Sequence, residues 1–399
     1  MSIEKTHDRL DQRFSVSYEY PVCFTRNILA ADNDLLCDTI MRLSEPREHR
    51  VQVFIDSGVI EAWPDICDRV ERYFSARRGK LKLEGPPLPV SGGEQSKNNR
   101  NAAESVMESI AGQHLCRQSY VLAIGGGSAL DIIGLAAALV HRGVRLVRLP
   151  TTVLSQNDSG VGVKNGIDAY GVKNFAGTFV PPFAVLVDFD FLSTLPQKYW
   201  VGGVAEAFKV AIIKDPDLFT YLCNNAEALR DREPVVMEQV IRRTAALHLA
   251  HIATSGDPFE FGTSRPLDFG HWSAHRLEIM SNYEIGHGQA VAIGICLDSY
   301  YAFRQGYLSS EQLDAIVHGI RATGLPVWSD LLERKTSDQL DILAGIEEFR
   351  EHLGGELHVT LPDGIGAKLE TCDMDAGIVR EAIDFLKTKV RDNRATVQA

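Results

Sequence analysis

One short stretch limits the folds open to this chain more than any other. The apolar run Tyr120-Val-Leu-Ala-Ile124 enters Gly125-Gly-Gly-Ser128, a helical pattern follows over 129–141, and a second apolar run, Val144-Arg-Leu-Val-Arg-Leu149, comes next. Strand, glycine turn, helix and strand in this order make a βαβ unit, whose two strands must run parallel because the helix carries the chain back. Further strand signals stand at Val51-Gln-Val-Phe-Ile55, at 81–83 and at Ala184-Val-Leu-Val-Asp188, with helical patterns over 63–78 and 98–116 between them. Strands alternating with helices predict a doubly wound parallel sheet. The alternating, β-rich segment 14–24 predicts one or two more strands. The stretch 150–182, rich in Gly, Thr, Ser, Asn and Asp, reads as a long loop, and a loop of that length inside a compact domain is usually functional.

Beyond Pro196 the pattern changes. Helical periodicity covers 205–213, 234–254, 271–280, 288–303, 311–322 and 376–390, interrupted by one strand-like piece at 356–361. The expected fold class is therefore an α/β N-terminal domain over 1–190, of nucleotide-binding type, and a mainly α-helical C-terminal domain over 191–399. A chain of 399 residues is long enough for two such cores. A hydrophobic fraction of 45% and a charged fraction of 24% fit a soluble globular protein. A formal net charge of −12 excludes a general nucleic-acid binder but leaves room for a few local Lys and Arg to hold a phosphate. The seven cysteines are scattered and lack CxxC spacing, which points to reduced thiols in the cytoplasm. The charged N-terminus has no apolar signal core, and no apolar run is long enough to predict a membrane span.

Four constellations carry chemistry. Consecutive glycines between a strand and a helix let backbone N–H groups approach a phosphate, with the helix N-terminus adding partial positive charge. The same turn can serve only to connect a strand to a helix, and it is not the GxGxxG fingerprint. Asp56, ending an earlier strand, stands where a ribose-diol acceptor would, or is a plain turn residue. The loop from Pro150 to Lys164, with Gly171-Val-Lys-Asn174, offers hydroxyls, a carboxylate, two lysines and an amide to a polyhydroxylated, phosphorylated ligand and a nicotinamide. Glu206 and Lys209 share one face of an otherwise apolar helix, so both are expected to be buried and to need partners or a metal. His271 and His275 share a helix face, and His287 follows just before an apolar run. Glu206 with two of these histidines would make a three-ligand metal site with positions left open for substrate.

The motifs GGGSALDIIGLAAALVHRG, RLPTTVLSQNDSGVGVKNG, GVKNFAGTF, LVDFDFLSTLP, GGVAEAFKVAIIKD, LDFGHWSAH and HGQAVAIG occur in one order. Together they make the chain resemble the sugar-phosphate cyclases, the 3-dehydroquinate synthase-like family, from about Tyr20 to Leu361. The resemblance implies an NAD-binding α/β domain, a metal-binding helical domain, an active site between them and a homodimer. It implies Zn2+ or Co2+ on Glu206, His271 and His287. NAD contacts fall on Asp56, Glu94, Lys97, Gly126, Gly127, Asp131, Thr151, Thr152, Lys173 and Thr194. Substrate contacts fall on Asp158, Lys164, Asn174, Lys209, Arg265, Asp268 and His275, with Arg142 reaching the substrate phosphate of the neighbouring subunit. The implied reaction oxidises a ring hydroxyl with NAD+, eliminates phosphate, returns the hydride and closes a carbocycle by an intramolecular aldol.

The chain departs from 3-dehydroquinate synthase itself at several points. Asp268 replaces an Asn, Gln289 replaces a Glu, and FREHLGG at 349–355 replaces a Lys-Lys pair. A lysine expected in 247–252 is missing, with His248 or His251 as its substitute. These changes fall where a substrate carboxylate would sit, and they resemble cyclases of sedoheptulose 7-phosphate that make valiolone-type cyclitols. Three other readings are a 3-dehydroquinate synthase proper, an iron-dependent alcohol or polyol dehydrogenase, and a non-enzymatic binding protein.

Overall fold

A computed structural model describes residues 10–260, 266–352 and 355–396. A parallel sheet is built from β1 (Val22–Thr25), β2 (His49–Asp56), β3 (Leu81–Leu83), β4 (Leu88–Val90), β5 (Tyr120–Gly125), β6 (Arg145–Pro150) and β9 (Ala184–Asp188). Its order is β1-β9-β6-β5-β2-β3, with β4 also paired to β2. The chain moves outward one way through β2 and β3 and the other way through β5, β6 and β9. The order therefore reverses between β2 and β5, and a crevice opens there at the strand C-termini, the usual place for a ligand in an open α/β sheet. Asp56 ends one of these strands and Gly125 the other, in parallel register with Ile55 opposite Ile124.

Both faces of the sheet are covered, as continuous apolar strands require. In β5, Tyr120, Leu122 and Ile124 point into one core with Val70 and Phe74 of the Ile66–Ser75 helix. Val121 and Ala123 point into the other, with Ile132, Ile133 and Ala136 of helix α1 (Gly127–Leu139).

The segment 14–24, expected to hold one or two strands, contributes only Val22–Thr25, whose first pair is Val22 with Val185. Phe14 and Val16 are exposed. The alternation is real, but this part of the chain lies outside the paired edge. Leu88–Val90 is a further short strand.

The 150–182 stretch is corrected more substantially. It begins with a buried π-helical turn, Ser155–Ser159, and continues as an antiparallel hairpin of β7 (Lys164–Ala169) and β8 (Val172–Phe179). Its strand signal is hidden because β8 alternates partly buried with exposed positions and carries Lys, Asn and Gly. Gly166 and Gly177 pack back to back, and a Cβ on Gly177 would lie 2.5 Å from the Asn165 carbonyl oxygen. Arg148 of β6 holds the base of the hairpin. Its buried guanidinium donates to the carbonyls of Gly160 (3.2 Å), Gly162 (2.9 Å) and Lys164 (2.9 Å), and to Asn165 Oδ1 (2.6 Å).

After β9, a turn of 3-10 helix leads into helices. The ones that build the site are α2 (Gln197–Lys214), α3 (Pro234–Thr254), α4 (His271–Met280) and α5 (His287–Arg304). Helix α2 is buried without a break from Trp200 to Ile213, as expected of a helix apolar on all sides. It packs against the π-helical turn, where Asn157 Nδ2 donates to the Gly203 carbonyl at 2.8 Å. The late strand expected at 356–361 is Val359–Pro362, paired with Lys368–Thr371. Among the described residues, no helix is long and apolar enough to cross a membrane.

Arg148→Met would orphan three buried carbonyls at once. It is expected to cost about 3 kcal/mol or more, read by urea denaturation. Amide exchange should rise first in the 164–179 hairpin; unchanged exchange there would show that Arg148 does not hold it.

Candidate functional site

The glycine turn and Asp56 meet at the crevice. Both Asp56 oxygens accept backbone N–H groups, Oδ1 from Gly58 at 2.9 Å and Oδ2 from Gly126 at 3.3 Å. Asp56 thus caps the Ser57–Ala62 helix and steadies the turn, rather than offering both oxygens to a ribose. Burial raises its pKa. The glycines answer to close approach and not to backbone strain, since Gly126 has φ −74°. A Cβ on Gly125 would lie 2.8 Å from Asp56 Cβ, and one on Gly127 2.7 Å from Ser159 Oγ. Thr151 N donates to the Gly125 carbonyl at 3.0 Å, and the Thr152 hydroxyl bonds Ser155 Oγ at 2.9 Å. Thr194, past the end of β9, accepts from Trp63 Nε1 at 2.9 Å.

A second group surrounds the short helix Glu94–Asn98. Glu94 Oε2 accepts from Ser128 Oγ at 2.7 Å. Lys97 Nζ, buried, reaches Asp131 Oδ2 at 2.9 Å and Asn174 Oδ1. Lys173 Nζ lies 3.1 Å from Glu94 Oε1 and donates to both oxygens of Glu278, at 2.8 and 2.7 Å. Burial pulls the Lys173 pKa down, but the Glu278 and Glu94 carboxylates more than offset this and it is raised. These acids and lysines, 105 residues apart in the case of Lys173 and Glu278, therefore form one continuous ionic chain.

That chain ends at the three histidines. His287 Nδ1 lies 3.1 Å from Glu278 Oε2, and its Nε2 lies 3.4 Å from Glu206 Oε1. His271 Nδ1 lies 3.1 Å from the Phe269 carbonyl, and its Nε2 lies 3.7 Å from the same Glu206 oxygen. In both rings the outer nitrogen is engaged, so the inner Nε2 is aimed at the cluster. Donor atoms of Glu206, His271 and His287 all lie within 4.8 Å of one another. Both Glu206 oxygens are buried and lack a partner in hydrogen-bonding geometry, although the Lys209 ammonium sits against Oε2. Burial pushes the Glu206 pKa up, the Lys209 charge outweighs it, and the result is about 2. Burial pulls His287 down, the Glu278 carboxylate outweighs it, and the result is about 9. A cation entering here would meet a carboxylate and two imidazoles, a donor set suited to zinc or a related metal. His275 stacks its ring on His287 and edges against His271.

Backbone packing sets the spacing of this cluster. Helices α2 and α5 cross where Gly202 faces Gly288, and a Cβ on Gly288 would fall 2.0 Å from the Gly202 carbonyl oxygen. Glu206 and His287 are carried on either side of that crossing. Helices α4 and α5 approach similarly at Gly270 and Gly294. Asp298 accepts from Gly270 N (2.9 Å) and Trp272 Nε1 (2.7 Å), the residues on either side of His271, and burial pushes its pKa up to about 7.

The remaining residues are placed as follows. Asp158 stands in the π-helical turn, with Oδ2 3.7 Å from Lys209 Nζ. Asp268, in the turn Pro266–Asp268, is close enough to act electrostatically on Lys209 and His271. Lys164 is exposed and pairs with Glu260 at 2.7 Å. Asn174 donates its backbone N–H to Asp168 at 2.7 Å. Arg265 lies outside the described residues. Arg142 is not brought to this site within one chain. It lines a cavity of about 880 Å³ with Gln118, Val144 and Pro182, at the N-terminal ends of the strands. Glu278 was missed in the sequence reading. The available signal was its position on α4, one and two turns after His275 and His271 on the same helical face.

A parallel α/β sheet with a glycine turn at its switch point, joined to a helical unit that carries a carboxylate–imidazole cluster, defines the class. Residues 87–201 match the model of the 3-dehydroquinate synthase N-terminal domain, and residues 203–344 that of its C-terminal domain. The chain is 33% identical over 309 residues to a 3-dehydroquinate synthase of Alkaliphilus metalliredigens, covering 75% of this chain and 83% of that protein. It is 33% identical over 299 residues to a 2-epi-valiolone synthase of Actinosynnema mirum, covering 75% and 77%. ValA, the 2-epi-5-epi-valiolone synthase of Streptomyces hygroscopicus subsp. jinggangensis 5008 solved with NAD+ and Zn2+, superposes with TM-score 0.83 at 28% identity, covering 96% and 99%. The chain belongs to the 3-dehydroquinate synthase family and is a sugar-phosphate cyclase, a phosphate-eliminating carbon–oxygen lyase. Membership in that family sets aside the dehydrogenase and non-enzymatic readings.

Gly288→Ala should force α2 and α5 apart. A loss of about 1–3 kcal/mol is expected in thermal or denaturant unfolding, whereas Gly286→Ala, where the nearest contact of a Cβ is Gln289 Oε1 at 3.7 Å, should be nearly neutral. Equal effects at the two positions would refute the close-approach argument.

Proposed function

We propose that this enzyme cyclises a seven-carbon sugar phosphate that lacks a carboxylate, sedoheptulose 7-phosphate, to a valiolone-type cyclitol. The observation that carries the substrate assignment is Asp268. Its carboxylate acts on Lys209 and His271, which in this reading face the substrate, and so adds a negative charge beside it. A substrate carboxylate there would be repelled, whereas hydroxyl groups can donate to Asp268. The valiolone synthases among the similar proteins support the same substrate class.

In this reading Glu206, His271 and His287 hold Zn2+ or Co2+. Asp56, Glu94, Lys97, Gly126, Gly127, Asp131, Thr151, Thr152, Lys173 and Thr194 surround NAD. The bound metal supplies Lewis-acid polarisation of vicinal substrate oxygens, and NAD supplies a transient hydride acceptor. Lys209, buried and charged beside the cluster, stabilises negative charge that develops on the substrate when the C–H next to the ketone is deprotonated. Asp158 fixes the Lys209 ammonium, and His275 faces the substrate beside the two metal-holding rings. Lys164 and Asn174 on the hairpin, with Arg265, hold hydroxyls and the phosphate. Arg142 serves the partner's site in a homodimer, which accounts for its distance from its own. Glu278 orients His287 and, through Lys173, ties the nucleotide side to the metal side.

Two outcomes are expected. Protein supplied with NAD+ and zinc should release phosphate from sedoheptulose 7-phosphate with no net NADH absorbance, and NMR should show a cyclitol. Release from neither this sugar nor the carboxylated seven-carbon sugar phosphate would refute the cyclase reading, and release only from the latter would refute the substrate assignment. Separately, Glu278→Gln should weaken zinc binding about 10–100-fold, measured by chelator competition without substrate. Unchanged affinity would remove Glu278 from the metal's support.

A further inference from the structure

The two imidazoles that face Glu206 differ in what holds their outer nitrogens. His287 Nδ1 has a carboxylate, that of Glu278, at 3.1 Å. His271 Nδ1 has the Phe269 carbonyl, also at 3.1 Å. A carbonyl can only accept, so the His271 Nδ1–H is the donor. The neutral carbonyl is the weaker support, since hydrogen bonds to ionised groups are roughly twice as strong.

The peptide that carries this carbonyl has a second partner. Its N–H belongs to Gly270 and donates to Asp298 Oδ2 at 2.9 Å. In a planar trans peptide the C=O and N–H point in opposite directions. One peptide plane therefore stands between the Asp298 carboxylate and the His271 ring. Hydrogen bonds in series polarise one another, so an acceptor on the N–H makes the carbonyl beyond it a stronger acceptor. Through one peptide, Asp298 gives His271 what Glu278 gives His287 directly.

Asp298 is held firmly in this place. It is fully buried, and its other oxygen accepts from Trp272 Nε1 at 2.7 Å. It stands on α5 about three turns after His287, so one helix carries one of the rings and the anchor of the other. The peptide has no room to turn. Gly270 has φ +81°, a Cβ on it would lie 2.8 Å from Ile295 N, and one on Gly294 would lie 2.0 Å from the Gly270 carbonyl oxygen. Glu206 and Glu278 each face a lysine. At Asp298 burial raises the pKa, and the opposing groups are the N–H donors of Trp272 and Gly270 rather than a cation. A buried acid without a charged partner is a costly way to tie two helices together, which favours a role at the ring it reaches.

We infer that Asp298 is a positioning residue for the metal site: through the Phe269–Gly270 peptide it aims His271 Nε2 at the cluster and strengthens it as a ligand. This rests on the reading that Glu206, His271 and His287 hold the metal. Trp272 fixes the Asp298 carboxylate in turn.

The test uses the full chain, freed of metal and then titrated with Co2+ or Zn2+ in competition with a chromophoric chelator, with no substrate present. The visible absorption of bound Co2+ reports the ligand geometry. Glu206→Ala should abolish binding at this site. Asp298→Asn keeps the shape but offers one acceptor oxygen to two donors. It is expected to weaken the binding of both metals about 10–100-fold and to change the Co2+ spectrum. Trp272→Phe, which removes one anchor of the carboxylate, should give a smaller loss of at least about threefold. Affinities within about twofold of the wild type and an unchanged spectrum in both variants would overturn the inference, however far their unfolding temperatures fall. A carboxylate that only tied α4 to α5 would move stability and leave the metal alone. Should Asp298→Asn fail to fold, Trp272→Phe decides in the same way. If Glu206→Ala binds Co2+ as the wild type does, the metal reading fails and this inference fails with it.

Discussion

Burying one carboxylate organises this molecule. Glu206 is 1% exposed, in the middle of a helix whose neighbours are Val204, Ala205, Ala207 and Phe208. An isolated ionised carboxylate there would cost several kcal/mol in lost hydration. Lys209, one turn on, offsets part of that cost and keeps the group ionised, with His271 and His287 close on its other side. None of these groups satisfies the carboxylate in hydrogen-bonding geometry. A buried, ionised acid left in that state is a demand for a cation, and the two imidazole Nε2 atoms aimed at it are the remainder of a ligand set.

The demand propagates outward. His287 can aim Nε2 inward only because Glu278 takes its Nδ1, and Glu278 can be buried only because Lys173 neutralises it. Lys173 is shared with Glu94, which also accepts from Ser128 at the start of α1. The glycine turn of the sheet and the histidines of the helical half are thereby joined through buried charges, each satisfied by the next. The spacing has a second cause in backbone contact. Gly288 brings α5 to a distance from Gly202 of α2 that a Cβ on Gly288 would not allow, and Gly270 with Gly294 does the same for α4 and α5.

Much of this was legible before any coordinates. The parallel sheet followed from the strand–glycine–helix–strand unit, because a helix crossover admits only a parallel return. Helices 234–254 and 271–280 could be read to the residue, their apolar spacing being undisturbed by partners. The 150–182 segment could not. Its hairpin is stabilised by Arg148 from another strand and by paired glycines, so its own composition reads as loop. Leu81–Leu83 and Val359–Pro362 were visible as short strand signals, while residues 14–21, outside the paired strands, show that alternation makes a strand only where an edge is free to pair.

The sequence by itself determined the order of elements, the family and the chemical types at the site, since periodicity, glycine placement and charged residues on apolar helices are local properties. The tertiary structure alone decided which of those groups meet. It brought Glu278 and Lys173, 105 residues apart, into contact, placed Arg142 at the opposite end of the sheet, and separated His248, on Asp158, from His251, on Lys214. These are matters of long-range geometry. A buried charge finds its partner wherever packing brings one within about 3 Å, and no spacing along the chain encodes that distance.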